Sequence, residues 1–366
     1  MNLIKILFYN VFIFFALVGI CLLAPPFIYW SYGTLNQISE TDSNPIQWDW
    51  YKELAWSSEY WAEFNQLSMS YQDYVSWRRD DFEGEAINIK QGLRLTTHSY
   101  DSNKSRREYW FFGGSTTWGT GVNDSNTYPS IFANFVREKV ANFGETGYIA
   151  RQSLALLVNH IVTNDLTDLT HLNVVFYDGV NDVASRCRKE NSKMGTSREK
   201  TFQNKIEVAE FGYQRLFGQL NDFLGVVLRK VDSSSLSKKA FYDCSSDEER
   251  AFEVAETLVN TWQMASDIVE SRGGTFVAVL QPVAYFRNPD VSYLDLSGDN
   301  DLALREQYQT VYPLILRLAR SKSFRFIDLT KAYDECATCY LDFCHVGPEA
   351  HELLVPKLAK AMNDTL

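Results

Sequence analysis

From residue 106 onward the chain alternates short apolar runs with stretches of helical periodicity, and this alternation narrows the possible folds more than any other feature. Tyr109-Trp110-Phe111-Phe112 is an unbroken apolar run closed by Gly113-Gly114, which predicts a buried strand entering a tight turn. Ile131, Phe132, Phe135, Val136 and Val140 share one helical face, so a helix is expected over Pro129–Val140, with Pro129 suited to its first turn. Leu154, Leu157, Val158, Ile161 and Val162 repeat that spacing within Arg151–Asp165. Asn173–Tyr177 is the next strand and runs into Asp178-Gly179. A helix over Ala251–Ser271, closed by Gly273-Gly274, precedes a strand over Phe276–Leu280. A helix over Leu302–Ala319, a strand over Phe324–Leu329 and a helix over Pro348–Met362 complete the series. Strands that are apolar throughout must be covered on both faces, which implies an α/β fold: a three-layer α/β/α sandwich around a mostly parallel sheet. Ligands of such sheets bind at the carboxyl ends of the strands.

The N-terminus reads differently. The 25 residues from Ile6 to Trp30 carry no charge. At ~1.5 Å rise per residue they are long enough to cross a ~30 Å hydrocarbon layer as a transmembrane helix. Tyr29, Trp30 and Tyr32 stand where an interfacial aromatic belt would lie. Lys5 precedes the span and no Lys or Arg follows it before Trp50, which places the N-terminus in the cytoplasm and the bulk of the chain outside, periplasmic or extracellular. A cleaved signal peptide fits less well, because Ala24 is followed by Pro25-Pro26, and Ile20 before Cys21 is not the small residue of a lipoprotein signal. Residues 1–30 are therefore expected to be a signal-anchor, 31–105 a stalk and lead-in with one or two short helices between Gln47 and Tyr74, and 106–366 the main domain. The charged, irregular stretch at about 185–250 is expected to be an insertion with one helix near Val208–Val227.

Net charge is −11 and Lys and Arg are scattered, which argues against a nucleic-acid partner. The aromatic residues between Trp48 and Trp77 suit either packing or a sugar-binding surface. Six cysteines are present, with Cys21 inside the span. Outside the cytoplasm the other five can form disulfides, and their odd number leaves at least one thiol over. Cys336-x-x-Cys339 with Cys344 and His345 has the residue types of a zinc site, but the spacing is cramped and a second Cys-x-x-Cys is lacking, so no metal is expected.

Four segments carry chemistry-bearing residues. In Gly113-Gly114-Ser115-Thr116 a serine sits on a glycine-flanked strand-to-helix turn, which alone is no more than a helix N-cap. Asn142–Tyr148 holds Gly144 and Gly147, whose N–H groups suit an anion. Gly179-Val180-Asn181-Asp182 offers the Asn181 amide. In Asp342-Phe343-Cys344-His345 the carboxylate three residues before His345 can hold one imidazole tautomer. Ser, Gly, Asn and His in this chain order resemble the four sequence blocks of the SGNH (GDSL-like) hydrolase superfamily. The first block departs from Gly-Asp-Ser-Leu, whereas the third and fourth match Gly-x-Asn-Asp and Asp-x-x-His. The resemblance spans about residues 106–366, and the wording around the blocks is similar to membrane-anchored bacterial members of cell-surface polysaccharide pathways.

That resemblance implies a flavodoxin-like SGNH hydrolase fold with a Ser115–His345–Asp342 triad. It implies an oxyanion hole of the Ser115 N–H, the Gly147 N–H (Gly144 as alternative) and the Asn181 side chain, with no cofactor. The expected activity is a serine esterase acting on acyl, foremost acetyl, esters of a cell-surface carbohydrate. The alternatives are a polysaccharide O-acetyltransferase with the same triad, which would need a multi-span acyltransferase or assembly partner, and a catalytically idle polysaccharide-binding or assembly protein.

Overall fold

The computed structural model describes residues 13–14, 48–100, 106–191, 195–196, 198–199, 202 and 241–363. The chain divides into two units, residues 1–44 with 203–239 and residues 45–202 with 240–366. The architecture below is that of the second. No helix among the described residues is long and apolar enough to cross a membrane. The span expected over Ile6–Trp30 lies outside the described residues except for Ile13 and Phe14, and the helix expected near Val208–Val227 lies wholly outside them.

The lead-in holds helices α1 (Asp49–Lys52) and α2 (Ser57–Phe64) and strands β1 (Met69–Gln72), β2 (Ser76–Arg79), β3 (Phe82–Glu83), β4 (Asn88–Lys90) and β5 (Leu93–Arg94). Then follow β6 (Glu108–Gly113), α3 (Ser115–Trp118), α4 (Tyr128–Val136), β7 (Lys139–Asn142), α5 (Ala150–Thr163), β8 (Leu172–Asp178) and α6 (Val180–Arg186). The C-terminal half runs α7 (Glu248–Glu270), β9 (Thr275–Leu280), α8 (Asp299–Ala319), β10 (Arg325–Asp328) and α9 (Pro348–Asn363). The main sheet has the order β10-β9-β8-β6-β7-β5-β4-β3. Its first five strands are parallel to one another, and β5, β4 and β3 continue it antiparallel.

Side chains alternate across a strand, so β6 sends Trp110 and Phe112 to one face and Tyr109 and Phe111 to the other. The first face packs against α5, α7 and α8 through Leu157, Leu258, Trp262 and Tyr312. The second packs against α4 and α9 through Phe132, Leu354 and Leu358. Two cores on opposite faces of one sheet make the three-layer arrangement.

Two elements depart from the expectation. The helix expected to reach Val140 stops at Val136, where Arg137 adopts φ 57°, and Lys139–Asn142 then pairs parallel with β6 as β7. Val140 satisfies both a helical and an alternating pattern, and the left-handed stop is taken by an arginine, so no glycine marks the break. The lead-in contributes sheet as well as helices. Its strands are two to four residues long, too short for a periodicity signal. Tyr51, Tyr60 and Trp77 are fully buried, so these lead-in aromatics serve packing. The stretch expected to be an insertion, about 185–250, is closed near its two ends by the Cys187–Cys244 disulfide and the Arg188–Tyr242 bridge.

Candidate active site

β6 ends at Gly113, Gly114 caps α3, and Ser115 is the first residue of that one-turn helix. The turn is held from below. Asn142 Nδ2 donates to Thr117 O (2.9 Å), and Gly144 approaches so closely that a Cβ there would lie 2.4 Å from Trp118 N. It is also held from the side: Gln281 Nε2 donates to Thr116 Oγ1 (2.8 Å), and Thr116 Oγ1 reaches Cys344 O (3.4 Å). Thr116 thus joins the serine turn to the loop that carries Asp342 and His345. Arg94, fully buried, ties down the chain after α3 through Trp118 O, Gly119 O, Val122 O and an ion pair with Asp124 (2.8 Å).

The loop before α9 folds around the Asp342 carboxylate. Its Oδ1 accepts from Cys344 N (2.8 Å) and His345 N (2.7 Å), and Oδ2 contacts His345 Nδ1 at 2.6 Å. His345 Nε2 lies 2.7 Å from Ser115 Oγ. With Nδ1 protonated toward Asp342, the neutral ring presents Nε2 as acceptor for the Ser115 hydroxyl. The three residues expected to act together are therefore brought into one hydrogen-bonded chain, from positions 230 residues apart in sequence. Burial alone would raise the Asp342 carboxyl, but the His345 charge and the donors of His345 and Cys344 outweigh it and hold it below the usual range. Burial would lower the His345 imidazole, and the Asp342 charge overrides this and raises it well above an ordinary histidine. Solvent reaches the pair, with 46% of the Asp342 side chain and 22% of the His345 side chain exposed, and tempers both shifts.

The remaining expected residues converge on Gly114. A Cβ on Gly114 would lie 2.4 Å from Asn181 Nδ2 and 3.4 Å from Tyr148 O. Asn181 Nδ2 donates one of its two hydrogens to Tyr148 O (2.8 Å), leaving the second. Between the two glycines of the second segment the structure discriminates. The Gly144 N–H is taken by Asn142 Oδ1 (3.0 Å), which removes it as an anion donor. No hydrogen bond is formed by the Gly147 N–H among the described residues, and Gly147 has φ +78°. Asp182 has a supporting part: its carboxylate accepts from Ala150 N (3.1 Å) and so seats the start of α5 against α6.

Cys336 and Cys339 are bonded to each other and cannot ligate a metal. The donor atoms of Asp342, Cys344 and His345 lie within 4.8 Å of one another. Both Asp342 oxygens and both His345 nitrogens already have partners, and burial pushes the Cys344 thiol up to about 11, so this set does not suit a cation. Cys344 is the thiol left over among the described residues. The supporting contacts of Arg94, Thr116 and Gln281 were not legible in sequence, and nothing but the fold reveals them.

No family model matches the chain, and no curated protein matches it. Among solved structures it is similar to a lipolytic protein of the G-D-S-L family from Veillonella parvula (15% identity, 69% of this chain and 97% of that chain, TM-score 0.40). It is also similar to a GDSL-like lipase from Bacteroides thetaiotaomicron (10% identity, 71% and 90%, TM-score 0.39). A third is an acetylxylan esterase from Geobacillus stearothermophilus (14% identity, 71% and 95%, TM-score 0.37).

Proposed function

We propose that this chain is a serine esterase of the SGNH type that cleaves acyl, foremost acetyl, esters carried by a carbohydrate. The observation that carries the reading is the unbroken relay from Asp342 Oδ2 through the His345 ring to Ser115 Oγ, 2.6 Å and 2.7 Å long. His345 takes the Ser115 proton as Oγ attacks the ester carbonyl. The tetrahedral oxyanion is stabilised by the N–H groups of Ser115 and Gly147 and by the Asn181 amide. His345 then gives its proton to the departing alkoxide, leaving acyl-Ser115, and a water activated by His345 releases the acid. The first 30 residues act as a membrane anchor and the enzyme works outside the cytoplasm. The uncharged 25-residue stretch after Lys5 supports this, and so do two disulfides, which persist in oxidising compartments.

The full chain in detergent micelles is expected to hydrolyse p-nitrophenyl acetate and to be labelled by a fluorophosphonate. Ser115→Ala abolishes both. Labelling that survives the substitution would overturn the nucleophile, and a wild-type chain that neither turns over nor labels would favour an idle scaffold. Acetylated xylo-oligosaccharide tests the glycan: release of acetate supports hydrolysis, and acetyl moved to an added sugar acceptor supports transfer.

A further inference from the structure

Gly147 sits in a tight turn whose geometry decides where its N–H points. Tyr148 N donates to Glu145 O (3.2 Å), closing a four-residue turn with Thr146 and Gly147 at its centre. Gly147 has φ +78° and Thr146 is not among the positive-φ residues, which is the pattern of a type II turn with glycine at its third position. The central peptide of that turn contains the Thr146 carbonyl and the Gly147 N–H, which point in opposite directions because the peptide is planar and trans. Rotating this one peptide converts type II into type I and swings the N–H to the other side, at no cost to the rest of the backbone path.

The Thr146 carbonyl is held by two donors from outside the loop. Trp77 Nε1 donates at 3.1 Å and Arg198 Nη1 at 2.8 Å. Arg198 Nη1 also reaches Thr146 Oγ1 (3.1 Å), and its guanidinium lies 5.6 Å over the Trp77 ring. Trp77 is fully buried, stacked on Phe202 (5.7 Å) and edge-on to Tyr148 (5.4 Å), so its indole N–H has one direction open to it. The Trp77 carbonyl in turn accepts from the Tyr148 hydroxyl. Arg78, next in sequence, donates to Phe143 O (3.2 Å) earlier in the same loop. Lead-in strand β2 therefore grips the second chemistry-bearing segment at both ends.

We infer that Trp77, with Arg198, is a positioning residue for catalysis: by anchoring the Thr146 carbonyl it locks the Thr146–Gly147 peptide so that the Gly147 N–H faces the oxyanion. The inference rests on the esterase reading and deepens it. It also assigns the lead-in a part in the catalytic machinery, through an indole N–H rather than through substrate contact.

Trp77→Phe in the full chain removes the donor and keeps an aromatic ring in place, and Arg198→Met removes the second donor, with the guanidinium over the Trp77 ring, while leaving the Trp77 indole N–H itself. Each variant is expected to lower kcat by roughly 10-fold and the double variant by roughly 100-fold, toward the loss of one oxyanion donor. KM should stay within about 2-fold, because the peptide contacts the transition state and not the ester ground state. Affinity for an alkyl boronate, whose tetrahedral adduct occupies the oxyanion hole, should fall by the same factor as kcat/KM. A crystal structure of the double variant, read independently of turnover, should show the Thr146–Gly147 peptide rotated. Unchanged kcat with an unrotated peptide overturns the inference while leaving the esterase reading intact. A rotated peptide in a chain whose wild type shows no Ser115-dependent turnover supports the anchoring and removes the esterase reading. A fall in kcat matched by equal loss of ground-state binding overturns the positioning role in favour of a structural one.

Discussion

Gly114→Ala should disable the enzyme without touching a triad residue. A methyl group on Gly114 would sit 2.4 Å from Asn181 Nδ2, whereas ordinary contact begins at 3.4 Å, so the amide must retreat by about 1 Å. It has no free path: Nδ2 already donates to Tyr148 O at 2.8 Å, and that oxygen lies only 3.4 Å from the new methyl. The nucleophile is unaffected in the resting state, because Ser115 Oγ keeps its 2.7 Å contact with His345 Nε2. On the proposed oxyanion hole, the substitution removes one donor, worth roughly 10²–10³ in kcat or about 3–4 kcal/mol of transition-state stabilisation. The assay is p-nitrophenyl acetate hydrolysis by the full chain, with kcat and KM resolved separately and folding checked by thermal melting. Asn181→Ala should lose a similar factor. Because both substitutions remove the same interaction, the double variant should be no worse than Asn181→Ala alone, a coupling that a double-mutant cycle measures. A folded Gly114→Ala variant retaining more than about a third of wild-type kcat, or losses that multiply in the double variant, would refute this account of the oxyanion hole.

Protonated His345 cannot accept the Ser115 proton, so kcat/KM should fall on acidification with an apparent pKa above the 6.5 of an ordinary histidine. Asp342→Asn removes the charge that raises it; the acidic limb should then move to lower pH while kcat drops by roughly 10³–10⁴, and a limb that stays put would show that Asp342 does not set it. The same pair links stability to pH. The contribution of protonated His345 is complete below about pH 6.5 and is lost as pH rises through the raised value, and that of ionised Asp342 is present above its ordinary 3.8 and lost in acid below it. Cys187 and Cys244 are 57 residues apart, so replacing both by alanine should cost about 4 kcal/mol of stability through the freed loop. Calorimetry would read this as a melting point lower by roughly 10 °C, and an unmoved melting point would show that the bond does not restrain the unfolded chain.

The strands and helices of the sheet were legible because apolar periodicity is a local signal. Trp110 and Phe112 face one core and Tyr109 and Phe111 the other, as a doubly covered strand requires. Strand β7 was missed for the same reason, since Val140 fits two periods at once and Arg137 supplies the left-handed turn that a glycine usually signals. The short lead-in strands carry no period at all. Strands β5, β4 and β3 reach the sheet edge through the pairing of β5 with β7, a contact between residues 94 and 142 that no window of sequence contains, and β1 and β2 form a separate two-stranded sheet.

The amino-acid sequence by itself determined the kinds of residue that meet at the strand ends, a serine on a glycine turn, an Asn181 amide and an Asp-x-x-His pair, because their spacing within each loop is local chemistry. Only the tertiary structure decided which of them share a site and what each has left to offer. Gly144 and Gly147 are equivalent in sequence. Asn142 takes the Gly144 N–H, while Trp77 and Arg198 hold the carbonyl of the peptide whose Gly147 N–H has no hydrogen-bond partner among the described residues. A hydrogen bond is settled by whichever partner the fold delivers to within about 3 Å, and here those partners arrive from residues 2 to 69 positions away. That delivery is a property of the packed chain and not of any segment of it.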